Sequence, residues 1–599
     1  MDQETAKGAN SILTAVLANR VDGIVREMTN TLLRAGRSAV INVARDFSCA
    51  ICTADDELFA CVQGLPVHVF GVHKQARAMR EAHPDLAEGD AFLDNDPYVG
   101  NSHPADHAIL VPVFFEGEHM FTAVAKSHQA DNGNSIPTTY YASATDVYQE
   151  GALIFPVVRV QRDYQMNEDV VRMCRRRIRV PDQWYGDFLA TLGAARIAER
   201  RLKDLCQKYG KETIKQFTRD WLDYSELCMA EAIEKMPASK ITVSGAHDPF
   251  EPFLPDGVPL NVTFEIDPDK GRIEVDLTDN LPNLDCGLNL TEATATASVL
   301  AGLFNSLECG IPQNHGSFRR VGVKLGDGCV VGKPAFPHSC SVATTNLTDR
   351  LIMMIGRGFA ELGDGHGMAE GGVGMGISGA VLSGKDPRAD DDPFVNQIII
   401  FTNGGPASAS CDGWLTYGLP CAGGLIYRDS VEIDELKMPI LYEEMRLQPG
   451  SGGAGRFRGG AAIDVTYTPI GDSITVAYLQ DGQFNAPAGA AGGHSGAVGR
   501  SWKIAADGTV EQLPNSGVVE VVAGEKIRGV DSAGGGYGDP ATRDVDAVLH
   551  DVREGWETRQ RAETIYKVFF TGSVEADDLA VDVAATRAAR ETARESTFV

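Results

Sequence analysis

FLDNDPYVGNSHPADH, residues 92–107, and KSHQADNGN, residues 126–134, frame the segment around which the chain is organised. Four of the thirteen histidines (His103, His107, His119, His128) fall within this span, with Asp94, Asp96, Asp106 and Asp131 among them. Imidazole and carboxylate are the donors that zinc, manganese and iron take. The apolar runs Ala108–Val113 and Phe121–Ala125 read as two strands, and Glu116-Gly117-Glu118 reads as the turn between them. A hairpin of this kind brings its two ends together, so His128 meets His103 and Asp106. Three protein donors with a coordination position left open are the pattern of a catalytic metal site. Hydrogen-bonded surface loops are also rich in histidine, and spacing by itself leaves both readings open. His103 and His107 are four apart, but Pro104 between them argues against a shared helical face. His107 and His119 are therefore expected in structural roles.

Working outward toward the N-terminus, residues 66–82 read as a helix in which His68 and His73 pack rather than ligate. Residues 45–59 read as a hairpin turning at Ala54–Glu57, and Cys49 and Cys52 within it as core thiols. Residues 10–35 carry a wide apolar face at helical spacing. Toward the C-terminus, a Gly/Ser/Thr-rich loop at 132–145 leads to Tyr148-Gln149-Glu150-Gly151, where Glu150 is a candidate acid, base or ligand. MCRRRIR at 173–179 suits an anion clamp or a subunit interface. Two helices are expected at 184–209 and 212–235, with Gly210 between them as a C-cap. VTFEID and RIEVDLTD, joined by PDKG at 268–271, read as a hairpin. Helices are expected at 291–303 and 341–362. Beyond Gly363 the chain is glycine-dense, with NQIIIF, GLIYR and SITVAYL as short strands and glycines serving positive-φ turns. Arg456 and Arg458 there could hold an anion. The last sixty residues read as helical. The expected fold class is α+β, with a helix-rich N-terminal part bearing the metal site on a hairpin and loops, and a β-rich, glycine-dense C-terminal half. The expected regions are 1–240, 241–545 and 546–599.

A chain of 599 residues holds more than one domain or one large one, and its net charge of −28 argues against a nucleic-acid partner. No apolar run reaches the length of a membrane span. MDQETAKGAN lacks the basic and apolar regions of a secretory signal, and the twelve scattered cysteines form no zinc set, so a cytoplasmic protein with reduced thiols is expected. No GxxxxGK[ST] phosphate loop is present.

DFSCAICTADDELFACVQGLPVH (46–68), the two central segments, VYQEG (147–151), SGGAGRFRGG (451–460) and GGGYGDP (534–540) together resemble the hydantoinase B / 5-oxoprolinase family, in family order over nearly the whole chain. That family includes B-type subunits of ATP-dependent N-methylhydantoinases, caprolactamase subunits and subunits of acetone and acetophenone carboxylases. The resemblance implies a divalent metal, zinc or manganese by preference, on His103, Asp106 and His128. It implies that ATP and Mg are used by a hydantoinase A-type ATP-binding partner subunit, in a hetero-oligomer acting on a small molecule. It implies hydrolysis of a lactam or hydantoin whose amide the partner has phosphorylated, with Asp131 or Glu150 taking a proton from the attacking water, or Asp131 orienting His128. The alternatives are an ATP-dependent ketone carboxylase and a non-catalytic structural partner. Two departures stand out: Gly100-Asn101 where Gly-Gly is common, and His128-Gln129-Ala130-Asp131-Asn132-Gly133-Asn134 where His-His-Ala-Asp-Val-Gly-Gly is common.

Overall fold

The hairpin expected at the centre of the sequence lies in the middle of the largest sheet. The computed structural model describes residues 3–61, 64–307, 310–401, 403–424 and 426–597. Thr402 and Leu425, within the expected TNGGP turn and GLIYR strand, fall outside the described residues. The strands are β1 (Phe47–Thr53), β2 (Leu58–Cys61), β3 (Ala91–Asp94), β4 (Asp106–Phe115), β5 (Glu118–His128), β6 (Val158–Arg162) and β7 (Gln165–Met166). They form one antiparallel sheet in the order β2-β1-β5-β4-β3-β6-β7. The β4–β5 turn has φ of 51° at Glu116 and 77° at Gly117. Two positive φ values in a two-residue loop match the right-handed twist of the flanking strands. The register that follows sets Asp106 directly opposite His128 and Ala108 opposite Lys126.

Alternation along the strands then divides the chemistry. Ile109, Val111, Val113, Ala123 and Ala125 join the core formed with the helices Gln3–Ala35 and Pro181–Tyr209. Asp106, His128 and Lys126 have the opposite parity and lie on the other face. The same alternation separates Cys49 from Cys52: three residues apart on a strand, they point to opposite faces. Both are buried packing groups, and burial pushes the Cys49 thiol up to about 12.

Several expected elements shift at their ends. The helix expected at 66–82 is two, Pro66–Val69 and Val72–Ala82. Gly71 marks the break, and a Cβ there would lie 2.6 Å from that of Ala293. The helices Pro181–Tyr209 and Lys211–Glu234 flank Gly210, whose φ is 85°. The helix Glu292–Ser306 starts with a reciprocal cap between Thr291 and Thr294. The helix expected at 341–362 begins only at Leu347, because residues 339–346 are a loop.

The chain groups into two compact units. The first is Met1–Thr242, Asn261–Thr348 and Pro393–Gln397; the second is Val243–Leu260, Asp349–Asp392 and Ile398–Val599. This is not the sequential division expected at residues 240 and 545. The helices Val545–Arg553 and Arg559–Thr564 are not a separate tail, because Val548, Val552, Ala562 and Tyr566 close a core over Ala454.

The second unit holds a five-stranded sheet ordered Ile440–Leu447, Ile463–Pro469, Lys526–Val530, Arg500–Ile504, Val510–Leu513. In another sheet, Ser473–Gln480 pairs with Val381–Asp386 and Ser516–Val522. Of the expected strands, NQIIIF ends at Gln397. The glycine-rich segments depart from expectation in part: Gly363, Gly365, Gly367, Gly374, Gly423, Gly424, Gly450 and Gly538 take the expected positive φ, whereas Gly405, Gly453, Gly460 and Gly534 lie backbone against backbone. Gly460 N donates to Gly405 O, Gly534 N to Gly460 O, and Gly453 N to Gly534 O, at 2.8–2.9 Å. A Cβ on Gly534 would sit 1.8 Å from Gly405 O, and one on Gly460 2.1 Å from Trp414 O. Close approach, not positive φ, excludes side chains there. Arg456 and Arg458 do not form an anion site: they pair with Asp364 and Asp551 at 2.8 and 3.0 Å.

Candidate metal centre

All the centre's residues belong to the first unit. Asp106 opens β4 and His128 closes β5, so the ladder itself sets two of the three donors side by side. His103 reaches them from the preceding loop, where Asp106 N donates to His103 O. Gly100, with φ of 113°, starts this loop; a Cβ there would lie 2.6 Å from that of Lys74. His103 Nε2 is 3.0 Å from Asp106 Oδ1 and 3.1 Å from His128 Nδ1, and the third edge, His128 Nδ1 to Asp106 Oδ1, is 3.1 Å. His103 and Asp106 have no solvent exposure, and His128 has 1%. Among the described residues this is the one cluster of three or more such side chains whose donor atoms converge closely enough to hold a metal ion.

Tautomer logic tests whether a cation fits. His103 Nδ1 lies 2.9 Å from the Ser341 carbonyl oxygen, which can only accept. Nδ1 therefore carries the hydrogen, and neutral His103 presents a lone pair at Nε2. That lone pair faces a carboxylate oxygen and an imidazole nitrogen. His128 Nε2 is 3.0 Å from Thr139 Oγ1. When it donates there, Nδ1 also presents a lone pair, and three acceptors meet with no hydrogen between them. A divalent cation satisfies such a triangle. Bonds of about 2.0–2.2 Å put neighbouring ligand atoms about 3.0–3.5 Å apart, in line with these edges. In the cation's absence a proton must serve. Burial depresses the His103 imidazole, but the charge and hydrogen bond of Asp106, the Ser341 carbonyl and the Asp46 charge together hold it above its ordinary value. Burial raises Asp106, yet the charges of His103 and His68 hold it well below the usual carboxylate range.

The surroundings fix these donors. Asp106 Oδ2 accepts from Ser102 Oγ and faces His68 Nε2 at 3.1 Å. His68 was expected as a packing group; instead it supports the carboxylate, with Ser48 Oγ 3.4 Å from its Nδ1 and Asp46 Oδ1 3.5 Å from the same Nε2. Its neighbours in sequence carry no sign of this contact, which forms between the short helix Pro66–Val69 and the start of β4. Tyr140 stacks on His128, with ring centroids 5.1 Å apart at 13°. Lys126 is fully buried on the same face, with Nζ 3.4 Å from Ser102 Oγ, and burial pulls it down to about 8 against the Asp106 and Asp94 charges. Ser341, within the segment expected to be helical, turns out to hold the first ligand through its carbonyl.

Glu150 ends a single helical turn, Val147–Glu150, capped by Asp146. Its carboxylate is buried and accepts from Ser339 Oγ at 2.7 Å. Burial raises it, against hydrogen bonds from Ser339 and Ser341 and the charge of His103. The Ser339–Ser341 turn thus links Glu150 to the Nδ1 side of His103. Asp131 is committed elsewhere. Arg179 Nη1 donates to it at 2.8 Å, and the Arg179 and Gly133 backbone N–H groups donate as well. Arg179 also donates to Asn134 O, and Arg177 to Gly133 O and Gly151 O. Two arginines of the MCRRRIR cluster thus clamp the loop that follows His128.

His107 points to the helical face. Its Nε2 lies 2.9 Å from Asn132 Oδ1, Trp184 donates to Nδ1, and burial lowers it to about 4. His119 contacts Thr122 near the far end of the hairpin. Gln129, where the resemblance leads one to look for histidine, donates to Ser127 O and Oγ, on the helical face rather than beside the donors.

A family profile described as hydantoinase B/oxoprolinase matches residues 10–540. The chain is 29% identical over 584 residues to the beta subunit of caprolactamase from Pseudomonas jessenii, covering 95% of this chain and 98% of that one. It is 27% identical over 602 residues to the B-type subunit of a putative D-/L-hydantoinase from Pseudomonas sp. strain NS671, covering 95% and 97%. The crystal structure of ATP-dependent caprolactamase from Pseudomonas jessenii superposes with a TM-score of 0.86 at 28% identity, over 97% of this chain and 99% of that one. No helix among the described residues is long and apolar enough to cross a membrane.

Proposed function

The chain belongs to the hydantoinase B/oxoprolinase family, and from that premise we propose that it is the metal-bearing B-type subunit of an ATP-dependent cyclic-amide hydrolase. The observation that carries this reading is the buried triangle of His103 Nε2, Asp106 Oδ1 and His128 Nδ1. Similarity to a caprolactamase subunit over nearly the full length supports the substrate class. A lactam or hydantoin carbonyl is a poor electrophile. In this proposal an ATP-binding partner of the hydantoinase A type, using ATP and Mg, phosphorylates the amide oxygen. His103, Asp106 and His128 would hold a zinc or manganese ion, which would supply Lewis acidity and lower the pKa of a water.

The chain's own residues do the rest. Ser341 O fixes the His103 tautomer, so that Nε2 is free to ligate. Ser102 and His68 hold the far oxygen of Asp106, which fixes the orientation of the near one. Glu150 is the carboxylate suited to hold a proton, because burial raises it. Asp131 acts as a positioning residue, since its oxygens are engaged by Arg179. The test is ATP turnover by the chain co-expressed with its ATP-binding partner, with lactams, hydantoins and ketones, with and without bicarbonate. Stimulation by a cyclic amide independent of bicarbonate is expected. Stimulation by a ketone only with bicarbonate would overturn the reading in favour of a carboxylase.

A further inference from the structure

Asn134 lies in the loop between the donor His128 and its partner Thr139. It is 2% exposed, and neither Oδ1 nor Nδ2 of its carboxamide has a hydrogen-bond partner. Leaving both ends of a buried amide unpaired is costly and rare in folded proteins. Three other asparagines of this region are used at both ends. Asn95 bonds Pro104 O and Phe155 N, Asn101 bonds His103 O and Gln75, and Asn132 bonds Pro104 O and His107. Nor is Asn134 free because its loop is loose. Its own carbonyl accepts from Arg179 Nη2 at 2.7 Å, and the next residue, Ser135, donates its N–H to Glu150 O at 2.8 Å. The backbone is held beside Glu150 while the side chain is left unengaged.

A carboxamide offers a donor and an acceptor side by side. Its complement is a group with an acceptor and a donor on one edge. A secondary amide closed into a ring is cis, and its C=O and N–H lie on one edge in that way. A ketone lacks the N–H, and an N-alkylated lactam has it blocked. We infer that Asn134 is a specificity-determining residue whose carboxamide pairs with the C=O and N–H of a cyclic secondary amide. The inference rests on the cyclic-amide activity proposed above and names how that substrate class is recognised. A site built to hydrogen-bond a substrate N–H discriminates strongly against an analogue without it, because its own buried polar atoms are then left unpaired.

The test uses the chain in complex with its ATP-binding partner and two probes, 2-pyrrolidinone and N-methyl-2-pyrrolidinone. Wild type, Asn134→Ala and Asn134→Asp are compared by kcat/KM, by equilibrium binding of each lactam and by metal content. Loss of both hydrogen bonds predicts a fall of about tenfold to a hundredfold for 2-pyrrolidinone in Asn134→Ala. Binding of the N-methyl compound is expected to stay the same, so the preference for the secondary lactam collapses. Asn134→Asp keeps size and the acceptor for the lactam N–H but loses the donor to the C=O, and is expected to bind 2-pyrrolidinone more weakly while still preferring it over the N-methyl compound. Metal content is expected to match wild type in both. An Asn134→Ala protein in which the two lactams weaken together, or in which the preference persists, overturns the inference while leaving the hydrolase reading intact. Failure of wild type to bind 2-pyrrolidinone overturns it too. Asn134-dependent binding without lactam-stimulated ATP turnover supports the inference and removes the hydrolase reading instead.

Discussion

Asp106→Asn perturbs the centre with the least change of shape. The near oxygen of Asp106 stands 3.0 Å from His103 Nε2 and 3.1 Å from His128 Nδ1, and the far one 3.1 Å from His68 Nε2. None of this is exposed, so solvent does not screen it. A unit-charge pair at about 4 Å in an effective dielectric near 20 is worth about 4 kcal/mol. A bound divalent ion is closer and doubly charged, so that figure serves as a floor. It corresponds to roughly a thousandfold in metal affinity. The substituted amide also donates its N–H groups into the very lone pairs that face the ion. The assay is elemental analysis of the purified complex after dialysis, with ATP-dependent lactam turnover measured in parallel. Metal affinity is expected to fall by about three orders of magnitude, with metal content after dialysis and turnover dropping together, while circular dichroism and subunit assembly are unchanged. A variant that keeps one ion per chain and wild-type turnover would refute the reasoning.

Three further outcomes are expected. Arg179→Ala releases Asp131 and the carbonyl of Asn134; it should lower kcat/KM by about ten- to a hundredfold while metal content stays at wild type. The metal-free and metal-loaded proteins should respond oppositely to pH. In the metal-free chain His103 is raised by Asp106, so its stabilisation is complete below the ordinary imidazole value near about 6.5 and is lost as pH rises through its folded value. Asp106 is depressed, so its share is complete above about 3.9 and is lost only as pH falls through its lower folded value. Chelated protein should therefore melt lower at pH 8 than at pH 6, and loaded protein higher, because metal binding needs neutral imidazole; thermal unfolding at both pH values checks this. Gly534→Ala, with a Cβ 1.8 Å from Gly405 O, should prevent folding of the second unit, whereas Gly23→Ala, in a helix with nothing within 4 Å, should stabilise by up to about 1 kcal/mol, both read by chemical denaturation.

The hairpin was legible because its signals are local: two short apolar runs, a Glu-Gly turn and donors at both ends. From these alone the pairing of Asp106 with His128 follows. His68, Ser341 and Arg179 were not legible as supports of the centre. Each acts across a long stretch of sequence, as in the 3.1 Å contact of His68 with Asp106 and the bond of His103 to Ser341, 238 residues away. Periodicity reports which face a residue takes, not which distant loop meets it. Arg179 read as part of a basic cluster of open purpose, and only the fold shows that it holds Asp131. The division into units was illegible for a similar reason: the chain leaves the first unit after Thr242 and returns at Asn261, and which unit a segment joins depends on contacts distant in sequence.

The glycine bundle of the second unit bears on how such a protein can change over time. Where side chains interlock, a larger residue at one position can be offset by a smaller one at its neighbour. Where Gly405, Gly460 and Gly534 meet backbone to backbone, there is nothing smaller to trade. No second substitution restores the first, so each position is judged alone and reversion is its only remedy. Drift in this unit is pushed out to its sheets and connecting loops, and a designer seeking new behaviour from it has those surfaces to work with and not the bundle.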